Sequence, residues 1–145
     1  MQHPLPYRDP AATCLAHPAA PILVVDDDSN IRELLCDALG DEGYDVLPAG
    51  NGQEALDSLR RLLPHRPGLI LLDMNMPVLD GWGFAGAYRR FPMPPAHAPI
   101  VVCTAGHAAA RCAAEVGADG YLSKPFDLST LFRTLDRFAH RHQAA

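Results

Sequence analysis

The sequence predicts an α/β fold, a doubly wound parallel sheet of five strands with five helices. Two observations lead to this prediction. Five short apolar runs alternate along the chain with five segments whose apolar residues recur at helical spacing. The stronger runs are continuous, without intervening polar residues, which is typical of strands buried on both faces of a parallel sheet. Strand–helix alternation of this kind builds right-handed crossovers that place helices on both faces of the sheet.

The apolar runs are predicted as strands because each is short, largely aliphatic and bounded by polar or turn-forming residues. The second run is the weakest in composition, and the fifth is short. In chain order the five predicted strands are Ile22–Val25, Tyr44–Leu47, Gly68–Leu72, Ile100–Cys103 and Gly120–Ser123.

The segments that follow the strands are predicted as helices because their apolar residues form single stripes. Residues 28–30 (Asp-Ser-Asn) are good N-caps before the first stripe, and Asp127 precedes the last one. Gly43, Pro64 and Gly117 stand where a helix is expected to end. In chain order the predicted helical segments cover residues 31–39, 55–63, 79–91, 109–116 and 128–138.

The length of 145 residues is close to that of one typical domain, and 48% hydrophobic residues suffice for its core. Residues 1–20 contain prolines but no hydrophobic period, and are predicted to be a disordered tail. Residues 21–142 are predicted to form the domain, and no output domain is expected in the remainder. Residues 92–99 hold several of the chain's 14 prolines and are predicted to form a stiff connector.

Charge and cysteine pattern exclude several classes of function. Twelve basic against 17 acidic residues leave a net charge of −5, which argues against a nucleic-acid partner. No apolar run approaches a membrane span, and the N-terminus does not have the pattern of a signal peptide. The cysteines show no C-x-x-C spacing and are predicted to be reduced thiols of a cytoplasmic protein. They are Cys14, Cys36, Cys103 and Cys112.

Unusual polar residues stand at the ends of four predicted strands. Asp26, Asp27 and Asp28 follow the first strand, Asp73 the third, Thr104 the fourth and Lys124 the fifth. Ligands of parallel α/β sheets bind at the carboxyl ends of the strands, where such side chains converge. Each residue alone has an ordinary explanation, such as a helix cap or a loop. Their coincidence predicts a site.

The residue types at this edge predict phosphoryl chemistry. Clustered carboxylates repel one another, and Mg²⁺, which prefers oxygen ligands, relieves that repulsion. A bound Mg²⁺ with spare coordination sites can hold phosphoryl oxygens. A lysine adds a second positive charge, and a threonine hydroxyl can donate to a phosphoryl oxygen. A carboxylate facing this arrangement is suited to accept a phosphoryl group.

Four motifs in order resemble the receiver domain of two-component response regulators, and the resemblance covers roughly residues 21–142. The motifs are Ile22–Asp28, Leu69–Gly81 (L-I-L-L-D-M-N-M-P-V-L-D-G), Ile100–Ala105 (I-V-V-C-T-A) and Tyr121–Phe126 (Y-L-S-K-P-F). The resemblance implies a flavodoxin-like receiver fold and a stand-alone, chemotaxis-type regulator. It also implies a sensor histidine kinase or histidine phosphotransfer protein as phosphodonor and a downstream protein target.

The resemblance implies a role for each matching residue at the metal site. Asp73 would be the phosphoacceptor. Asp26 and Asp27 would be the acidic pair, with Asp27 the more direct ligand of Mg²⁺ or Mn²⁺. Asp73 itself and the backbone carbonyl of Asn75 would complete the protein ligands.

The remaining residues that match the family motifs would bind the phosphoryl group and transmit the effect of phosphorylation to the partner surface. Lys124 would pair with the phosphoryl group, and its peptide bond to Pro125 is expected to be cis. Thr104 and Tyr121 would be a switch pair. On phosphorylation the Thr104 hydroxyl would move toward the phosphoryl group, and the Tyr121 ring would turn inward. The partner surface would be formed by the fourth helix, fifth strand and fifth helix.

The sequence is compatible with more than one function. The protein could switch a protein-binding surface, or it could be a phosphate sink or shuttle in a relay. It would not be an enzyme beyond catalysing its own phosphorylation and dephosphorylation. An aspartyl-phosphate phosphatase of the haloacid dehalogenase type usually shows D-x-D, whereas this chain has Asp73-Met74-Asn75. A flavodoxin-like nucleotide binder needs a phosphate loop where this chain has three aspartates.

Overall fold

The computed structural model of the protein describes residues 20–91 and 97–144, with side chains of the last helix described as far as Phe138. Residues 1–19 of the predicted tail and residues 92–96 of the predicted connector lie outside the described residues. Within the described ranges, no helix combines the length and the apolar composition needed to cross a bilayer.

Strands and helices alternate through the described chain, as the sequence predicts, and a short 3₁₀ helix, Gly106–Ala108, separates β4 from α4. The elements are β1 (Ile22–Val25), α1 (Ser29–Asp41), β2 (Val46–Ala49), α2 (Gly52–Leu62), β3 (Leu69–Leu72), α3 (Gly81–Arg89), β4 (Ile100–Ala105), α4 (Ala109–Val116), β5 (Gly120–Lys124) and α5 (Leu128–Ala144).

The five strands form one parallel sheet in the order β2-β1-β3-β4-β5. The predicted doubly wound five-stranded fold is confirmed. The register aligns Val25 of β1 with Leu72 of β3, so the residues that follow these strands emerge side by side. On the side of the sheet formed by β4 and β5, Ala105 of β4 pairs with Lys124 of β5. The topology alone therefore brings the polar ends of β1, β3, β4 and β5 to one edge.

Two hydrophobic cores lie on opposite faces of the sheet. Leu23 and Val25 pack into the core beneath α2, α3 and α4, whereas Val24 packs into the core beneath α1 and α5. Successive strand residues point to opposite faces, so a continuous apolar run can supply both cores. This double burial fixes the inner strands and hence the positions of the residues at their carboxyl ends.

The predicted second strand, Tyr44–Leu47, is wrong by two residues, because the strand runs Val46–Ala49. The Tyr44 amide donates to the Leu39 carbonyl at 3.1 Å, and Gly43 has a φ of 93°. These residues still belong to the turn that closes α1. Pro48 is tolerated in the strand because β2 is an edge strand.

The predicted helix 79–91 is shorter in the structure, where α3 begins at Gly81 and ends at Arg89. The Asp80 carboxylate accepts a hydrogen bond from the Gly83 amide at 2.8 Å and caps the helix. The start of α3 is therefore set by an aspartate cap seven residues after Asp73.

Candidate functional site

Three carboxylates meet at the carboxyl edge of the sheet. Asp26 and Asp27 follow β1, and Asp73 follows β3; one oxygen of each lies within 4.8 Å of the others. The Asp73 amide donates to the Val25 carbonyl at 2.9 Å, and the Asp26 amide donates to the Ala49 carbonyl at 3.0 Å. These bonds continue the strand pairing by one residue, so the main chain of both aspartates is held by the sheet.

The three carboxylates differ in exposure. Asp26 is buried, Asp73 is 7% exposed, and Asp27 is open to solvent. Asp26 Oδ1 accepts a hydrogen bond from the Asp28 amide at 2.9 Å. Asp26 is therefore the fixed acid of the cluster, whereas Asp27 stands at the solvent-facing rim.

Lys124 reaches the cluster from the end of β5. Its Nζ lies 2.6 Å from Asp26 Oδ2 and 3.8 Å from Asp73 Oδ2. Burial alone would lower the pKa of Lys124, but the hydrogen bond to Asp26 and the charges of Asp26 and Asp73 outweigh burial and raise it. Lys124 is thus a cation that bridges both buried acids. The peptide bond between Lys124 and Pro125 is cis.

The pKa of Asp73 is raised to about 6, mainly by burial and also by the charge of Asp26. The Lys124 ammonium and the backbone amides of Asn75 and Met74 oppose this shift. At neutral pH the carboxylate is therefore ionised but held in an unfavourable environment, and it gains from any additional cation.

The donor set fits a hard divalent cation. Three carboxylates within 4.8 Å of one another present oxygen atoms to one point, as Mg²⁺ and Mn²⁺ require. The rim position of Asp27 leaves room for water ligands. A cation here would relieve the crowding of negative charge that burial imposes on Asp73.

The loop between β3 and α3 is shaped by a close approach at Gly81. Its amide donates to the Met74 carbonyl at 3.0 Å. A Cβ at Gly81 would lie 2.5 Å from Met74 Sδ and 2.8 Å from the Asp73 carbonyl oxygen. Only glycine fits, so the start of α3 packs directly against the main chain of Asp73 and Met74.

The same loop contains a strained turn. The Leu79 amide donates to the Pro77 carbonyl at 2.8 Å, and Val78 between them has a φ of 70°. This is a γ-turn of the rarer, strained kind. Its central residue is β-branched and 80% exposed.

Thr104 and Tyr121 lie on the β4–β5 side of the site. Thr104 is buried, and its Oγ1 accepts from Asn75 Nδ2 at 3.5 Å, the upper limit of a hydrogen bond. Tyr121 is 50% exposed and pairs in register with Val102. The threonine therefore contacts the loop that follows Asp73, whereas Tyr121 is half-exposed to solvent.

Two residues, Gly81 and Arg32, contribute to the site through contacts that the sequence does not predict. Gly81 is visible in the D-G pair of the motif, but its contact with Met74 is not. Arg32 donates from Nη1 to the Asp26 carbonyl at 2.7 Å. No sequence signal marks that bond, because it depends on where the first turn of α1 places a long side chain.

Comparisons with known proteins agree with this geometry. A family model described as the response regulator receiver domain matches residues 22–136. The "Probable transcriptional regulator ycf27" of Porphyra purpurea is 42% identical over 107 residues, which are 72% of this chain and 41% of that protein. The "Transcriptional regulatory protein PrrA" of Mycobacterium tuberculosis is 41% identical over 112 residues, 76% of this chain and 46% of that protein. The chain spans less than half the length of these curated relatives.

Solved structures give the same result. The chemotaxis response regulator CheY4 of Vibrio cholerae is 36% identical with a TM-score of 0.72, covering 82% of this chain and 98% of that chain. A putative response regulator from Chloroflexus aurantiacus is 30% identical with a TM-score of 0.73, covering 83% and 98%. Receiver domains are signalling modules rather than classic enzymes, and they bind Mg²⁺ at an acidic pocket. The resemblance seen in the sequence is confirmed: the chain belongs to the response regulator receiver domain family, whose members act in phosphorelay signalling.

Proposed function

We propose that the protein accepts a phosphoryl group on Asp73 from a histidine kinase or histidine phosphotransfer protein. The observation that supports this is the placement of the Asp73 carboxylate. It is ionised, nearly buried, 3.8 Å from the Lys124 ammonium and within the acidic cluster of Asp26 and Asp27. Asp26 shares this lysine and these neighbours, but its two carboxylate oxygens are already bonded to Lys124 at 2.6 Å and to the Asp28 amide at 2.9 Å, whereas Asp73 lies farther from the lysine.

The proposed reaction is one phosphoryl transfer. An Asp73 oxygen attacks the phosphorus of a phosphohistidine, the P–N bond breaks, and the imidazole nitrogen keeps the electron pair and takes up a proton. The product is an acyl phosphate on Asp73. Lys124, already drawn to both acids, would pair with a phosphoryl oxygen. The enzymatic chemistry is confined to this transfer and to the later hydrolysis of the same bond.

Asp26, Asp27, Asp73 and the backbone carbonyl of Asn75 would hold the Mg²⁺ or Mn²⁺ ion. When bound, the ion supplies positive charge against the phosphoryl oxygens. The three carboxylates already lie within reach of one point, so the protein would need little rearrangement to bind it.

Thr104 and Tyr121 would report phosphorylation to a downstream protein. Thr104 Oγ1 makes a long, 3.5 Å contact to Asn75, so it can be drawn toward a phosphoryl group. When the Thr104 hydroxyl moves, it leaves space behind it. The ring of Tyr121, which is half-exposed on β5, can turn inward into that space. The affected surface would be that of α4, β5 and α5.

A groove beside Lys124 is the proposed docking face of the phosphodonor protein. It has a volume of about 440 Å³ and lies between α1 and the segment that joins β5 to α5. Leu34, 57% exposed, and Leu128 are among the exposed large hydrophobic residues of the described chain, and both line it. Lys124 lines the groove and its Nζ lies 3.8 Å from Asp73 Oδ2, so a protein seated there would lie close to the acceptor.

Phosphorylation of the purified protein tests the proposal. With acetyl phosphate and Mg²⁺, the wild type should take up one phosphoryl group and Asp73→Asn none, whereas Asp37→Asn, which removes an exposed carboxylate on α1, should behave as wild type. Stoichiometric labelling of Asp73→Asn would refute the assignment. Return of the phosphoryl group to a phosphotransfer protein would indicate a shuttle, and turnover of phosphomonoesters would indicate a phosphatase.

The proposed partners are proteins, and the absence of nucleic-acid contact stays a prediction from the acidic charge. Some relatives are named transcriptional regulators, but this chain spans less than half their length. A cytoplasmic location likewise stays a prediction from the cysteine pattern.

A further inference from the structure

Arg32 makes an unusual contact at the metal-site end of β1. It lies in the first turn of α1, is half-buried, and donates from Nη1 to the main-chain carbonyl of Asp26 at 2.7 Å. That carbonyl belongs to the peptide unit that joins Asp26 to Asp27. The guanidinium therefore bonds the peptide that links Asp26 and Asp27, the two candidate metal ligands that follow β1.

The other polar groups of Asp26 have partners of their own. Its amide donates to Ala49, Oδ1 accepts from the Asp28 amide, and Oδ2 accepts from Lys124. The bond from Arg32 completes this set. Without it, the carbonyl of the Asp26–Asp27 peptide would lose this hydrogen bond at the point where the chain leaves the sheet.

The guanidinium lies beside the turn after β2. A Cβ at Gly50 would lie 3.6 Å from Arg32 Nη1 and 3.1 Å from Glu54 Oε2, so both side chains flank this glycine. Glu54 Oε2 accepts from the Gly50 amide at 2.6 Å and cannot swing away freely. The Arg32 guanidinium is therefore bonded to the residue after β1 and lies close to the residue after β2.

We infer that Arg32 is a positioning residue for the metal site, which acts by fixing the Asp26–Asp27 peptide and with it the direction of the Asp27 carboxylate. The inference rests on the proposed function, since it assumes that the acidic cluster binds Mg²⁺ or Mn²⁺. Residues that orient metal ligands typically contribute about 10–100-fold to metal affinity. We expect loss of the Arg32 bond to weaken metal binding by about tenfold or more.

Manganese titration of the full chain, followed by the electron paramagnetic resonance of free Mn²⁺, tests this without any reaction. Arg32→Gln removes the charge and the reach of the guanidinium, whereas Arg32→Lys keeps the charge without the planar fork. Arg111→Gln is the charge-matched control, because Arg111 is a highly exposed residue of α4. Thermal unfolding in EDTA reports stability separately.

We expect Arg32→Gln and Arg32→Lys both to bind Mn²⁺ about tenfold more weakly or worse, and Arg111→Gln to bind within twofold of wild type. Wild-type affinity in either Arg32 variant, measured below its unfolding temperature, would overturn the inference. If Arg32→Gln does not fold, the Mn²⁺ affinity of Arg32→Lys tests the inference. If the wild type fails to bind Mn²⁺, the proposed function fails instead, so the two failures are distinct.

Discussion

Ionisation of Asp73 should destabilise the metal-free protein. Burial raises the pKa of Asp73 to about 6 from an ordinary 3.8. A raised carboxyl pKa means that the folded state binds the proton more tightly than the unfolded chain does. The stability this group contributes is therefore fully present below about pH 4 and is lost as the pH rises through about 6. The difference between the two pKa values corresponds to a loss of ~3 kcal/mol in the free energy of unfolding by pH 8.

Replacing Asp73 with Asn removes this titration while keeping the shape of the side chain. In EDTA at pH 8, Asp73→Asn should be more stable than wild type by up to ~3 kcal/mol, or roughly 10 °C in Tm for a domain of this size. At pH 4 the two proteins should unfold alike. Urea and thermal unfolding followed by circular dichroism between pH 4 and pH 8 measure the difference.

Asp37→Asn is the control, because it neutralises an exposed carboxylate of α1 and should show no such pH-dependent gain. Added Mg²⁺ should stabilise the wild type by mass action and narrow its difference from Asp73→Asn. A stability difference that does not grow from pH 4 to pH 8 would refute the reasoning, since it would mean that ionised Asp73 is not penalised by burial.

Three further substitutions test the surroundings of the site by urea unfolding at neutral pH. Lys124→Met leaves the buried Asp26 carboxylate without its cation and should lower stability by ~3 kcal/mol; an unchanged midpoint would contradict the ion pair. Gly81→Ala should cost about 1–3 kcal/mol, because its Cβ would overlap Met74, and a stabilised variant would disprove the close approach. Val78→Gly should stabilise by up to ~1 kcal/mol, since glycine adopts the positive φ without strain, and a loss of stability would argue against the γ-turn.

The fold was largely predictable because its determinants are local. The runs Ile22–Val25 and Leu69–Leu72 are apolar throughout, and both faces of each strand are buried in the structure. The edge strand was misplaced because its start depends on the hydrogen bond from Tyr44 to Leu39, which continues the turn after α1. Periodicity cannot register such a bond. The sequence likewise shows an Asp-Gly pair before α3, but not the contact that makes Gly81 necessary.

The sequence by itself determined which chemical groups reach the edge of the sheet. Strand ends converge in any parallel α/β fold, so Asp26, Asp27, Asp73 and Lys124 could be assigned to one site from their order alone. Only the tertiary structure decided how they divide their roles. Lys124 and Asp26 lie 98 positions apart in the chain, and packing brings Nζ to 2.6 Å from Asp26 but 3.8 Å from Asp73. Packing also buries Asp26 and Asp73 and brings Arg32 to the main chain between Asp26 and Asp27. Such contacts follow from how the helices and the sheet pack together, and not from residue spacing.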